Sequence, residues 1–431
     1  MKFDIDYLYE LFLKSTGITT DSRNIEKGNI FFALKGDNFN GNKFAAFAIE
    51  KGASYAIVDE KEYSSEQNCI LVDDVLKSLQ LLANHHREQF NIPLIGITGT
   101  NGKTTTKEFI NAVLSSQFKT LATKGNLNNH IGVPITLLSI TQLTEIAIIE
   151  MGANHPGEIA DLCAIAKPNS ALVTNIGKAH LEGFGNIENI IETKTALYRS
   201  VKGANGKTFV NISDKVLLEK AKDNNIVTYG DQIEADYYGI IESVSPYLNI
   251  KWGKKLENFI ETQIAGAYNF QNIMAAIAIG CEFRITPENI NKAISEYIPS
   301  INRSQVLKTK SNTLLLDAYN ANPTSMKAAI DNFVMISHPQ KAMILGDMME
   351  LGKESFAEHS NIYNHILKSE IENTFFIGDI FSSIAKAKPS IICFNNSEEA
   401  LEWFKKHPLK DSFILIKGSR AMKLETLTAA L

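Results

Sequence analysis

The residues best able to do chemistry in this chain lie in Thr98-Gly99-Thr100-Asn101-Gly102-Lys103-Thr104-Thr105. Glycines at 99 and 102 let backbone amides approach phosphate oxygens, and a helix starting here adds partial positive charge. Lys103 supplies a cation for the β- and γ-phosphates, and the Thr104 hydroxyl a ligand for Mg²⁺. The strict pattern G-x-x-x-x-G-K-[ST] is not met, because its first glycine falls on Ile97. The segment is the shorter G-x-x-G-K-T. A phosphate loop also needs a metal carboxylate at a neighbouring strand end. Glu150, which follows Ile146-Ala147-Ile148-Ile149, is the candidate. An acid there can also be a solvated strand end, but its pairing with the loop favours Mg²⁺.

These residues need a scaffold. The chain has 431 residues, 44% of them hydrophobic and 21% charged, with net charge -5. That length suggests two to three domains, and the apolar fraction excludes a disordered chain. The mild acidity gives no footprint for nucleic acid. No apolar run approaches the ~18 residues of a membrane span. Cys69, Cys163, Cys281 and Cys393 are widely spaced without a C-x-x-C pair, so they read as small buried apolar residues. Met1-Lys2-Phe3-Asp4-Ile5-Asp6 carries acids where a signal peptide needs basic charge. The expectation is a cytoplasmic protein.

Hydrophobic periodicity then places the chemistry. Residues 1–88 read as a small α/β unit, with a helix over 44–49 stopped by Gly52, a strand over 54–58 and a helix ending at His85-His86-Arg87-Glu88. From Pro93, strands over 93–98, 145–150 and 170–175 alternate with helices such as 104–114, which predicts a parallel sheet covered on both faces. Residues 203–262 read as short strands of an inserted or appended β layer. After residue 300 strands recur over 313–316, 342–345, 374–377, 391–394 and 413–416. Several end on Asp317, Gly346-Asp347, Gly378-Asp379 or Lys417-Gly418-Ser419, which predicts a cleft at their carboxyl ends. The class is α/β in three domains: 1–88, a central phosphate-loop domain over 89–300, and a Rossmann-like domain over 301–431.

With the phosphate loop go Asn175-Ile176-Gly177-Lys178-Ala179-His180-Leu181-Glu182-Gly183-Phe184-Gly185 and Glu192-Thr193-Lys194. Together they resemble the Mur ligases, which join amino acids to the peptidoglycan precursor. Further matches run along nearly the whole chain. They include Thr20-Asp21-Ser22-Arg23, Gly125-Asn126-Leu127-Asn128-Asn129, Asp317-Ala318-Tyr319-Asn320-Ala321-Asn322-Pro323 and Leu345-Gly346-Asp347-Met348-Met349-Glu350-Leu351-Gly352. The likeness is greatest to the branch that adds D-alanyl-D-alanine to UDP-N-acetylmuramoyl-tripeptide, in cell-wall synthesis.

The resemblance implies roles. ATP is the co-substrate, held by Gly99 to Thr105, with Asn269 at the adenine and Arg303 and Asp317 reaching in from the third domain. Two Mg²⁺ ions are implied, one on Thr104 and Glu150, the other on His180 and Lys194, with Lys194 carbamylated. A free lysine is cationic at neutral pH and would repel Mg²⁺, whereas a carbamate offers it oxygen ligands. Lys103, Lys194 and His180 are thus the implied catalytic set. Ser22 and Arg23 are implied at the UDP, Asn126, Asn128 and Asn129 at the sugar-peptide, and Asn320, Asn322 and Asp347 at the incoming dipeptide. Met348 and Met349 read as packing residues. The family usually has histidine where this chain has Tyr268, and a glycine-arginine opening where it has Asn302-Arg303. The enzyme is expected to act as a monomer.

Within the family, the MurC and MurD types begin with a dinucleotide-fold glycine motif that residues 1–40 lack. The MurE type, which adds a diamino acid to UDP-N-acetylmuramoyl-dipeptide, carries an aspartate-asparagine-proline-arginine motif where this chain reads Gly346-Asp347-Met348-Met349-Glu350. It is the alternative reading. A nucleotide-operated regulator is the rival from another class, and the His180/Lys194 pair weighs against it.

Overall fold

The structure is a computed structural model describing residues 4–65, 68–203, 206–299, 302–369, 371–385 and 391–431. Residues 1–3 of the acidic N-terminus and the expected boundary at 300/301 lie outside the described residues. Among those described, the main sheets have four, nine and six strands in chain order, giving three successive α/β units.

The first unit is a parallel sheet ordered Ile18–Thr19, Ile30–Phe32, Tyr55–Val58 and Cys69–Leu71. Its last helix, Val75–Glu88, starts where Asp74 accepts the N–H of Lys77. Val75, Leu79, Leu82, Ala83 and His86 form its buried stripe at helical spacing. That stripe packs on helices Gly132–Leu137 and Glu158–Ala166 of the second unit. One apolar core therefore runs from Leu8 and Ile57 through Leu79 and Leu82 to Leu94, Val133 and Leu162. Arg87 seals the junction, buried, with its guanidinium donating to the carbonyls of Ala166, Phe90 and Ile92 at 3.2, 2.5 and 3.1 Å.

In the central sheet, Thr120–Ala122, Ile146–Glu150, Leu94–Thr98, Ser170–Val173, Lys207–Asn211, Asn225–Gly230 and Tyr237–Ser243 run parallel in that spatial order. Asn249–Trp252 and Asn258–Glu261 follow antiparallel. The β layer expected as inserted or appended over 203–262 is an extension of this sheet. Ser170 pairs with Lys207, so the sheet simply continues, and Phe209, Tyr229, Ile250 and Trp252 share the core of helix Phe270–Glu282. Leu94–Thr98 lies between Ile146–Glu150 and Ser170–Val173, with Ile97 opposite Glu150 and Thr98 opposite Val173. Strand order reverses there, and such reversals open ligand crevices.

The third sheet is ordered Gln305–Lys308, Asn312–Asp317, Ser412–Lys417, Lys341–Gly346, Asn373–Ile377 and Ile392–Phe394. Its last strand in sequence inserts near the middle, which sets Lys417 opposite both Asp317 and Leu345. The unit has its own apolar packing on both sheet faces. It meets the central unit through polar pairs, Lys178 Nζ to Glu358 Oε1 at 2.7 Å, the Asn322 amide to Asn101 Oδ1 at 2.7 Å and Tyr268 to Ser304 at 2.9 Å, and through a small apolar contact in which Ala265 and Tyr268 join its core. Polar boundaries of this kind permit domain motion. Only Cys163 of the four cysteines is buried, the others being partly exposed, which corrects the uniform reading. No helix among the described residues is long and apolar enough to cross a membrane.

Replacing Arg87 by methionine leaves three carbonyls at the junction without their donor. Arg87→Met is expected to cost about 2–4 kcal/mol of stability in denaturant unfolding. A change below about 0.5 kcal/mol would contradict this account of the junction.

Candidate active site

The phosphate loop leaves its strand as expected, and helix Lys103–Ser115 follows. Gly99 has φ 144° and Gly102 φ 78°, conformations that L side chains rarely adopt. A Cβ on Gly99 would lie 1.9 Å from Thr174 Oγ1, and one on Gly102 2.5 Å from Asn272 Oδ1. The loop is tied to the next strand end. The Asn101 N–H donates to Asn175 Oδ1, while the Thr174 hydroxyl and Asn175 amide donate to the Asn101 carbonyl. No side chain among the described residues caps helix Lys103–Ser115. Its first-turn N–H groups are therefore available to an anion.

Charge is concentrated behind this loop. Lys103 Nζ donates to the Gly99 carbonyl at 2.8 Å and to Thr100 O at 3.2 Å. Lys194, on helix Ile187–Lys202, donates to the same Gly99 carbonyl at 3.1 Å. Lys194 is 2% exposed. Burial first, and the neighbouring Lys103 second, hold its pKa well below the usual lysine range. Glu150 Oε1 accepts the Asn128 amide at 2.8 Å, and the Glu150 N–H donates to Thr123 Oγ1. Buried Lys107 holds that threonine by donating to its carbonyl at 2.5 Å.

Glu150 Oε2 is buried and has no partner among the described residues. An orphaned carboxylate oxygen in the cleft that Thr104 also lines fits a hard divalent cation. No group of three or more His, Cys, Asp and Glu among the described residues could hold a metal unaided. Mg²⁺ does not need one, since it is usually held by one or two carboxylates, water and substrate phosphates.

The third unit supplies the opposite wall. Lys417 Nζ pairs with Asp317 Oδ2 at 2.5 Å, and the Ser304 N–H donates to Asp317 Oδ1 at 3.2 Å. The Arg303 guanidinium lies 3.7 Å from the Tyr319 ring centroid, with Arg420 4.9 Å from it. The sequence placed the tail beginning at Lys417 at a cleft, as found, but missed Tyr319, Arg420, Asn175 and Glu350 as cleft residues. The strand tail Lys417-Gly418-Ser419-Arg420 was the available signal, but the ion pair depends on strand register.

Most expected site residues line one cleft of about 1240 Å³: Thr100 to Thr105, Asn126, Asn128, Asn129, Glu150, His180, Asn269, Arg303, Asp317, Asn320 and Asn322. Several side chains there already have partners. Asn129 Oδ1 accepts the N–H groups of Ile131 and Gly132. Asn269 donates to Ala265 O and accepts from Asn272. Asn322 caps helix Pro323–Met335 through Ser325 besides reaching Asn101. His180 and Lys194 share no hydrogen bond; the His180 ring meets Glu350 instead.

Asp347 is a correction. It is 3% exposed, and its oxygens accept the N–H groups of Ile380 and Phe381 at 3.0 Å, so it serves the start of helix Asp379–Ala385 rather than the cleft. Met349 is another. Met348 is buried, but Met349 is exposed on the cleft wall. Ser22 and Arg23 lie in the first unit outside the cleft lining. Arg23 is exposed and pairs with Asp21 at 2.7 Å, holding that carboxyl at about 2.

Three family models match the chain in order: the Mur ligase catalytic domain over residues 14–87, the middle domain over 97–280 and the glutamate ligase domain over 302–420. The chain belongs to the Mur ligase family. This Mur ligase is 37% identical over 421 residues to the UDP-N-acetylmuramoyl-tripeptide--D-alanyl-D-alanine ligase of Bacillus subtilis, covering 95% of this chain and 92% of that one. It is 29% identical to the Escherichia coli protein of the same name, over 96% and 93% of the two chains. A crystal structure of MurF from Acinetobacter baumannii matches at TM-score 0.89 and 30% identity, covering 100% of this chain and 98% of that one. MurF ligase from Thermotoga maritima in complex with ADP matches at 0.87 and 25%, covering 97% of each.

The loop geometry gives a direct test. Gly99→Ala is expected to weaken ADP binding by at least about tenfold in calorimetry, because a 1.9 Å contact must be relieved by moving the loop. An unchanged affinity would count against the loop as the nucleotide cradle.

Proposed function

We propose that this Mur ligase joins D-alanyl-D-alanine to UDP-N-acetylmuramoyl-tripeptide with conversion of ATP to ADP and phosphate. The observation that carries the reading is the convergence, in one cleft, of an open phosphate loop and the strand ends of a third domain. The substrates follow from the relatives, which carry that name along nearly their full length. Lys103, Arg303 and Arg420 give the cleft local positive charge for anionic substrates, although acids such as Glu150 and Asp317 line it too and the net charge of the chain is -5.

The reaction has two steps. A carboxylate oxygen of the tripeptide attacks the ATP γ-phosphorus, the bond to ADP breaks, and an acyl phosphate forms. The amine of D-alanyl-D-alanine then attacks the acyl carbon, loses a proton, and phosphate leaves as the amide forms. Phosphoryl transfer of this kind depends on positioning and charge neutralisation. The loop N–H groups and Lys103 hold the β- and γ-phosphates, and Arg303 approaches them from the third domain. Asp317, fixed by Lys417, takes the ribose; Asn269 borders the adenine. Mg²⁺ on Thr104 and Glu150, with a second ion on His180 and modified Lys194, would neutralise phosphate charge.

Asn126, Asn128 and Asn129 take the sugar-peptide, Ser22 and Arg23 the UDP, and Asn320 and Asn322 the dipeptide. Closure of the third domain keeps water from the acyl phosphate. Lys194 carries a carbamate: its neutral amine, favoured by burial, attacks CO₂ and releases a proton. The enzyme works in the cytoplasm as a monomer.

An ADP-release assay with UDP-muramoyl-tripeptide should show turnover with D-alanyl-D-alanine and little with L-lysine or diaminopimelate. The reverse preference, with a dipeptide acceptor, would select the MurE-type reading. Lys194→Ala should lose at least about a hundredfold in kcat, the scale of one electrostatic contributor, and regain part of it with short carboxylic acids. A fully active, unrescued variant would remove Lys194 from the mechanism.

A further inference from the structure

One contact in the cleft belongs to neither domain alone. His180 opens the short helix Leu181–Phe184 of the central unit with φ 50°, and Glu350 follows strand Lys341–Gly346 of the third unit with φ 63°. Non-glycine residues seldom adopt this left-handed conformation, and where they do the surrounding structure must hold them there. Here both face each other across the domain boundary, with His180 Nδ1 2.5 Å from Glu350 Oε2.

The acid is delivered by a tightly tied segment. Asp347 accepts two N–H groups, the Met348 N–H donates to the Nε2 of buried His359, and the Met349 N–H donates to Ser419 Oγ. On its far side, a Cβ on Gly352 would lie 3.3 Å from Glu182 Cβ, so the backbones themselves come close. Lys178 and Glu358 pair beside them at 2.7 Å.

The pair is unsuited to a stabilising role. The side chains are 31% and 57% exposed, and ion pairs at such positions contribute little to stability. What it does supply is orientation. A carboxylate 2.5 Å from Nδ1 favours a proton on that nitrogen, while Nε2 has no partner among the described residues and the ring lines the cleft. The same contact lowers the Glu350 carboxyl below its ordinary range.

We infer that Glu350 is a positioning residue: carried by the third domain, it fixes the tautomer and orientation of His180 on the central domain, so that this part of the site is complete only when the two domains touch. The inference rests on the reading of His180 as a site residue. It makes domain contact a chemical requirement, because a third domain that swings away takes the carboxylate with it.

The test uses the full chain. Spectra of the ¹⁵N-histidine-labelled protein, free of nucleotide and metal, should place the His180 proton on Nδ1, the signal being identified by its loss in His180→Ala. In Glu350→Ala the population should shift toward the Nε2–H form that free histidine prefers; an unchanged tautomer overturns the inference. Kinetically, Glu350→Ala should lower kcat by about 10–100-fold, with the melting temperature and the KM for ATP unchanged. The double variant Glu350→Ala/His180→Ala should be no slower than His180→Ala alone, since two residues acting as one unit are not additive. Additive losses, with His180→Ala itself impaired, overturn the role of Glu350 and leave His180 in place. A fully active His180→Ala removes both.

Discussion

The carbonyl of Gly99 accepts hydrogen bonds from two lysine ammonium groups, Lys103 at 2.8 Å and Lys194 at 3.1 Å, and the rest of the site is arranged around that crowding. Two like charges on one acceptor repel strongly where water is scarce. The tension can be relieved by a proton leaving Lys194, or by negative charge arriving at the loop. Glu150 holds the opposite excess, a buried carboxylate oxygen without a donor among the described residues. Such a site presents unmet charge of both signs at fixed places. A phosphate chain with a bound cation satisfies both together, and because the groups are held beforehand, little reorganisation is needed when it arrives.

The domains divide into two kinds of joint for a related reason. The first and central units share one apolar core and the buried Arg87 seal, so separating them would expose hydrocarbon and the carbonyls of Ala166, Phe90 and Ile92. The third unit meets its neighbour mainly through polar pairs, which water can replace at little cost, with only Ala265 and Tyr268 reaching its apolar core. A polar joint leaves the third unit freer to move. The asparagine chemistry follows the same division, since Asn322 caps its own helix and still reaches the phosphate loop across the gap.

Much of this was legible in the residues. Short apolar runs ending in polar residues placed the parallel strands and their carboxyl ends, because strands buried on both faces need continuous hydrocarbon and ligands meet the sheet where it stops. The phosphate loop was legible because its chemistry is local: glycines at 99 and 102, a lysine and two threonines act within one turn. Less local features were not fully legible. The run over 203–262 read as a β layer either inserted or appended, since short strands do not announce which edge they join; pairing of Ser170 with Lys207 decides for extension of the central sheet. Asp347 looked like a cleft residue because it follows a strand, but its oxygens turn to the N–H groups of Ile380 and Phe381, thirty-odd residues later.

The sequence by itself determined the α/β alternation, the phosphate loop, the acid at the end of the adjacent strand and the resemblance that carries the ligase chemistry. These depend on spacing within a few residues or on side-chain type, both of which survive without coordinates. Only the tertiary structure decided that Lys103 and Lys194 share a carbonyl, that Lys417 neutralises Asp317, and that Glu350 rather than Lys194 meets His180. Each joins residues tens to hundreds of positions apart through strand register or domain contact. Electrostatic coupling depends on distance and burial, and neither quantity is written in the order of the residues.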